Sequence, residues 1–449
     1  MVDRHLSSTS SFARVIGPVC TPGAPRAGRR RRSGGNRFAL SPVRAYERGM
    51  AFTTRSFAIT ELGDFQRLSD AAFLQDTTEP ERWLPLFEAP RSTAVLDGDE
   101  LIGGATICSR RLTLPGAGQH PVAAVTGVAV KPGHRRRGVL TELMRVQLHG
   151  LREGGREAIA ALWASEAGIY GRFGYGHAAD FQALSLPRGA AFAPHVGVGD
   201  ARVRELPRAE AMPFMVELRQ ELAPRRTGWL SRSAANWQIH FADEPSDRDG
   251  LSAYRYAVHP DGYAVYRVKH DWGHSGPRHE AHVRELVART DEAYAALYRY
   301  LLDLDMVGSV EQYAGSGEPV TRLLADPRAA SRRLVDSLWV RLVDVERALP
   351  LRRYAVDVDV VLEVVDGFCP WNAGRWRFAV RDGVASVART EADAEVVASA
   401  RALGAAFLGG VRLSALGAAQ EVREVTPGAL SRLTLAFLGV EEPHCAEVF

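Results

Sequence analysis

Lysine and cysteine are scarce in this 449-residue chain. Its four cysteines, Cys20, Cys108, Cys369 and Cys445, show no CxxC spacing. Neither a zinc site nor a disulfide framework follows from them, so no metal is expected and a reduced, cytoplasmic setting fits best. Only two lysines, Lys131 and Lys269, stand among the 56 basic residues, so arginine runs carry less information than usual. No apolar stretch approaches the ~18 residues needed to cross a bilayer, and the first residues lack a hydrophobic secretory core; no membrane partner is expected.

What is present describes a multidomain globular protein. The length is about three times that of a typical domain, which predicts two or three of them. A hydrophobic share of 46% beside 24% charged residues excludes collagen-like and fully disordered classes. The net charge of +3 hides an asymmetry: residues 1–49 hold ten arginines and two acids, so residues 50–449 carry −5. A mildly acidic body argues against nucleic acid as a partner. Residues 1–49, rich in Ser, Pro, Gly and Arg, show no apolar periodicity and are expected to be a disordered basic tail.

From Ser56 onward strands and helices alternate, which predicts a mixed α+β chain. Ser92–Leu96 and Leu101–Ser109 read as strands around a turn, and Val122–Lys131 as a long apolar strand with Thr126, Val128 and Val130 on one face. Leu140, Leu143, Met144, Leu148 and Leu151 recur at intervals of three and four, the signature of an amphipathic helix beginning at Gly138. Ala158–Ser165 is a second buried strand, followed by a helical turn from Gly168 to Phe173. A Pro/Gly joint spans residues 186–200, setting off a first domain at 50–190 and a second at 191–350. The second holds strands at Ala253–His259 and Tyr263–His270 and a helix at Asp291–Leu302, without a comparable Gly-bearing loop. A third, 351–449, opens with alternation at Val356, Val358, Val360 and Leu362 and carries a Gly/Ala-rich stretch, read as helical, over 395–417.

Two segments carry chemistry. In Val128-Ala129-Val130-Lys131-Pro132-Gly133-His134-Arg135-Arg136-Arg137-Gly138-Val139-Leu140, a strand feeds a helix through a tight loop. Unpaired backbone N–H groups and the positive end of the helix dipole then converge on one point, an anion site. Gly138 lets the backbone approach a diphosphate closely, and the arginines add charge. No Gly-Lys-Ser/Thr follows, and the three-glycine dinucleotide spacing is missing. The second segment, Ala164-Ser165-Glu166-Ala167-Gly168-Ile169-Tyr170-Gly171-Arg172-Phe173-Gly174-Tyr175-Gly176, places a tyrosine just after the next strand. A phenol with an ordinary pKa near 10 stays protonated at neutral pH and can donate a proton over a short distance.

The first segment resembles the coenzyme loop of the GCN5-related N-acetyltransferases (GNAT). The second, together with Leu338-Trp339-Val340-Arg341-Leu342-Val343-Asp344-Val345, Cys369-Pro370-Trp371-Asn372-Ala373-Gly374-Arg375-Trp376 and the terminal Phe449, is similar to the Eis (enhanced intracellular survival) acetyltransferases. The resemblance spans about residues 50–449. It implies tandem GNAT folds, the second degenerate, then a sterol-carrier-protein-like domain, and a homohexamer. It implies acetyl-CoA as co-substrate, held by Val128, Ala129, Val130, Arg136, Arg137, Gly138, Val139, Leu140, Thr141, Ser165 and Glu166. It also implies Tyr170 as general acid and the α-carboxylate of Phe449 as general base. The acceptor it implies is a primary amine of a cationic small molecule, aminoglycoside- or polyamine-like, and the acidic body agrees with that. Asp76, Glu79 and Glu447 are candidate cleft carboxylates. A protein lysine acetyltransferase and a non-catalytic lipid carrier are the alternative readings. His444 beside Cys445, with no orienting acid evident, and Trp371 and Trp376 read as structural.

Overall fold

The computed structural model describes residues 52–76, 80–274 and 276–449; the tail 1–49 and Glu79 lie outside the described residues. The first unit comprises β1 (Thr53–Arg55), α1 (Leu62–Phe73), β2 (Thr93–Asp97), β3 (Glu100–Leu114), β4 (Gly118–Val130), α2 (Val139–Gly154) and β5 (Ile159–Trp163). β3 and β4 form a long antiparallel hairpin whose pairing is broken where Gly127 and Val128 together oppose Ala105. This bulge interrupts the simple alternation read from Thr126 to Val130 and twists the end of β4. β4 and β5 run parallel for only two rungs, Ala123↔Ala160 and Ala124↔Ala161, and then diverge. α2 buries Leu143, Met144, Leu148 and Leu151, four of the five residues its spacing selects, against this sheet, while Leu140 is half-buried and Val139 takes the buried place at the helix start. Each such side chain contributes about 1.5–3 kcal/mol by leaving water.

The chain exchanges strands between its two large sheets. The first is ordered β1–β2–β3–β4–β5, then Leu338–Leu342, then Gly176–His177. The second, also of seven strands, runs Ser331–Asp336, Asp180–Pro187, Val307–Gly315, His279–Ala288, Gly262–Lys269, Arg255–His259, Arg204–Leu206. The strand 180–187 thus leaves the first unit to pair in the second, and 338–342 returns to lie antiparallel between β5 and 176–177. The crossing point is Ser337. It is fully buried, and its N–H and hydroxyl both donate to the carbonyl of Ala179 at 3.0 and 2.8 Å.

A five-stranded sheet with helices at 400–406, 413–418 and 429–437 forms the last unit. The stretch expected to be helical over 395–417 instead opens with a strand, Val396–Ser399. The β-branched Val396 and Val397 pair with the neighbouring strand 358–365, and the Ser399 hydroxyl accepts the N–H of Ala402 to start the helix one residue later. The helix ends at Ala406, and Gly409 and Gly410 lie in the turn before the next helix. Helix 400–406 lies directly on the first sheet. A Cβ at Gly404 would sit 2.2 Å from the carbonyl oxygen of Val340, and one at Gly176 would sit 2.0 Å from that of Arg401. The Gly/Ala bias of this segment therefore records close helix–strand packing rather than helix propensity.

Candidate active site

α2 begins at Gly138, whose φ of 90° places it in the left-handed region and whose lack of a side chain leaves the helix end uncapped. A Cβ there would meet nothing within 4 Å, so the space above the helix start is open. The first intrahelical bond runs from Glu142 N–H to the Gly138 carbonyl at 3.0 Å, and the N–H groups of Val139, Leu140 and Thr141 precede it. The loop is braced at its sides. Arg135 donates to the Ala72 carbonyl at 3.1 Å, Arg137 pairs with Asp97 at 2.9 Å, and Lys131 pairs with Glu100. Arg136, exposed at a φ of 63°, has no ion-pair partner among the described residues. The corresponding helix of the second unit, 291–302, follows its strand after two residues, and the Thr290 hydroxyl accepts the N–H of Ala293 at 3.2 Å. One helix end is open to an anion and the other is closed by its own side chain.

Beside this end, Val128, Val130, Val139, Leu140, Ile169 and Tyr170 join a single apolar cluster beneath the diverging ends of β4 and β5. Tyr170 ends a short helix, Ala167–Tyr170, that starts at Glu166 just past β5; Ser165 and Glu166 are exposed. The Tyr170 ring meets Tyr175 edge-on at 6.0 Å. Burial, helped by the nearby Glu166 and opposed by Arg172, raises the phenol well above its ordinary pKa, so it stays protonated across the working range.

The chain's last residues arrive at the same end of β5 from the other side of the sheet. Phe449 and Trp163 both pack against the cluster that includes Val122, Ile159, Ala161, Leu338 and Val340. The Trp163 indole N–H donates to the carbonyl of Glu447 at 2.8 Å. Glu447 is not a cleft carboxylate. It is buried, and its carboxylate accepts from Arg110 at 2.5 Å, Arg219 at 2.5 Å and Arg232 at 2.8 Å, which leaves nothing to attract a cationic substrate. Burial would raise its pKa, but Arg232, Arg219 and Arg110 together hold it at about 2. Asp76 is exposed. Burial pushes Cys445 up to about 12 and His444 down to about 4, which fits a structural role for that pair. The three arginines were not legible in the sequence, because 54 of its 56 basic residues are arginine.

Comparison with known proteins fixes the family. Residues 53–178 and 228–342 each match the acetyltransferase (GNAT) domain, and residues 345–446 match the sterol carrier protein domain. The N-acetyltransferase Eis of Mycobacterium tuberculosis is 35% identical over 382 residues, 82% of this chain and 92% of the relative. The chain belongs to the Eis family of GNAT acetyltransferases. An uncharacterized N-acetyltransferase of Streptomyces avermitilis is 41% identical over 81% of this chain and 91% of its own. The crystal structure of Eis1 from Mycobacterium abscessus superposes with a TM-score of 0.79 at 34% identity, over 88% of this chain and all of that one. This Eis-family chain is therefore an acetyltransferase with two GNAT domains and a sterol-carrier-like domain, as its motifs implied, and acetyl-CoA is its donor. The open, uncapped helix end at Gly138 fits a diphosphate: it supplies N–H donors and positive dipole where no side chain intrudes.

Proposed function

We propose that the first GNAT domain transfers the acetyl group directly from acetyl-CoA to a primary amine of a cationic small molecule, of the aminoglycoside or polyamine kind. The observation that carries this reading is an uncapped helix start at Gly138 whose first residues, Val139 and Leu140, share one apolar cluster with a buried tyrosine, Tyr170. In this reading backbone groups of Val128, Ala129 and Val130 pair with the pantetheine arm, and an N–H of this strand steadies the thioester carbonyl oxygen. Arg136, Arg137, Gly138, Val139, Leu140 and Thr141 form the diphosphate cradle, with Ser165 and Glu166 beside the coenzyme.

The α-carboxylate of Phe449 takes a proton from the amine as nitrogen bonds to the carbonyl carbon, and Tyr170 gives its proton to the departing sulfur as the carbon–sulfur bond breaks. A carboxylate near 3.5 is a weak base toward an alkylammonium near 10, so it takes the proton only as nitrogen bonds to the carbonyl carbon and the N–H grows more acidic. Tyr170, raised in the same environment, remains a competent acid because a thiolate formed there is equally short of solvent. The net −5 of residues 50–449 favours a cation as acceptor. The homohexamer and the cytoplasmic setting belong to the same reading; the first rests on the family, the second on scattered cysteines, free at Cys108, Cys369 and Cys445 among the described residues. In the C-terminal unit Phe378, Phe407 and Phe437 fill the interior, which weighs against a lipid carrier. Thiol release from acetyl-CoA across a panel of amines tests the proposal: turnover with polyamines or aminoglycosides supports it, and turnover only with lysine peptides points to a protein acceptor.

A further inference from the structure

In the second GNAT domain the corresponding helix end is closed by Thr290, yet its sheet diverges as the first one does. Strands 279–288 and 307–315 pair in parallel from His279↔Val307 to Val283↔Gln312 and no further. What lies at these diverging ends is the chain's own C-terminal segment. Just beyond the last rung, Glu285 accepts from Arg232 and from the Tyr263 hydroxyl at 2.6 Å. On the facing strand a Cβ at Gly315 would lie 3.1 Å from the His444 ring. The N–H of His444 donates to the Thr227 carbonyl at 3.0 Å, and Cys445 is buried. The segment is then locked at Glu447 by three arginines drawn from three places: Arg110 on β3, Arg219 on helix 208–222, and Arg232 just before helix 234–240.

The lock has a geometric consequence. The last helix ends at Phe437, and twelve free residues would let the terminus wander about 40 Å. With Glu447 held, only two residues remain, so the Phe449 carboxylate stays within about 7 Å of the clamp. We propose that Glu447 is a positioning residue, and that the coenzyme-free second GNAT domain serves as the socket that holds the C-terminal carboxylate in the active site of the first. This rests on the base role proposed for Phe449.

The test uses the full-length enzyme, steady-state kinetics and carboxypeptidase A release of Phe449 read by mass spectrometry. In Glu447→Gln, kcat is expected to fall about 100-fold with the KM for acetyl-CoA within about twofold, because a displaced group loses its approach geometry while the coenzyme cradle is untouched. Phe449 is expected to be released at least about tenfold faster than from the wild type, as a freed terminus is open to the protease. Trp163→Phe, which removes the hydrogen bond to the Glu447 carbonyl and leaves a smaller ring against Phe181, is expected to move both readouts the same way by a smaller factor. One glycine appended after Phe449 separates the two ideas. If the extension abolishes turnover while Glu447→Gln keeps wild-type kcat, the base stands and the clamp is overturned. If the extension leaves turnover intact, the base role fails, and the clamp is decided by Phe449 release alone. Loss of kcat in Glu447→Gln with Phe449 still protected also overturns the clamp. Should Glu447→Gln fail to fold, Trp163→Phe decides by the same two readouts, and wild-type values in both overturn it.

Discussion

The indole of Trp163 and the carbonyl of Glu447, 284 residues apart, share a hydrogen bond of 2.8 Å. It joins the end of β5 in the catalytic sheet to the last residues of the chain. Chain termini ordinarily fray. Here the terminus is drawn in because each unit lacks something that another supplies: the first sheet takes strand 338–342 from beyond the second, and the second takes strand 180–187 from the first. The site is thus a product of the whole chain, and changes far from the coenzyme loop should reach it.

Tyr170→Phe separates acid catalysis from packing. The ring sits in the apolar cluster with Tyr175 and Phe173, and phenylalanine fills the same volume. We expect the melting temperature to change little, the KM for acetyl-CoA to stay close to wild type, and kcat to fall by about 10²–10⁴, the usual contribution of a positioned acid. An unchanged kcat in a thiol-release assay would show that the proton comes from elsewhere.

Gly138→Val addresses the cradle. The left-handed φ of 90° costs a β-branched residue about 1–2 kcal/mol, and the new side chain projects into the open space above the helix start. Affinity for coenzyme A should drop at least about tenfold, 1.4 kcal/mol, in calorimetry. A variant binding as tightly as the wild type would mean that the diphosphate lies elsewhere.

Much of this architecture could be read from periodicity. The spacing of Leu143, Met144 and Leu148 placed α2, and the order of strand, loop and helix marked Gly138, because both depend on local backbone preference. The family resemblance supplied the tandem plan. What sequence could not show depends on contacts between distant residues. The strand exchange turns on Ser337, an ordinary residue. The clamp is made of arginines in a chain full of them, so Glu447 read as a cleft acid. The segment 395–417 holds helices at 400–406 and 413–418, as its composition suggests, but opens as a strand because Val396 and Val397 pair with strand 358–365, a contact composition does not show.

The Cys369-Pro370-Trp371-Asn372 motif turns out to cap a buried ion pair. Asp366 accepts from Arg341, from the N–H of Cys369 at 2.9 Å and from the Asn372 amide at 3.0 Å, and Arg341 is wholly buried beneath Gly174. Asp366→Asn removes the only carboxylate paired with Arg341 among the described residues. A buried charge left without its partner destabilises by about 3–5 kcal/mol, so calorimetry should show a clear fall in melting temperature. Since Gly174 and Tyr175 rest on Arg341 and Tyr170 on Tyr175, turnover should fall before the fold is lost.

Acid should open the socket before it melts the rest. Burial, reinforced by Arg232 and Arg284, pushes His240 down to about 3, so the ring is neutral in the folded protein and protonated in the unfolded chain below its ordinary 6.5. A depressed pKa makes the unfolded state bind more protons over that interval. The contribution of His240 is therefore present above pH 6.5 and is lost as pH falls toward 3. Glu447 acts in the same direction lower down: held at about 2 against an ordinary 4.5, it stabilises above pH 4.5 and loses that contribution between 4.5 and 2. Melting temperature should decline from pH 6.5 downward and more steeply below 4.5, with Phe449 becoming accessible to an acid-tolerant carboxypeptidase over the same range. In His240→Gln, which cannot take up the proton, the decline between pH 6.5 and 4.5 should flatten; an identical slope in the variant would assign it to other groups.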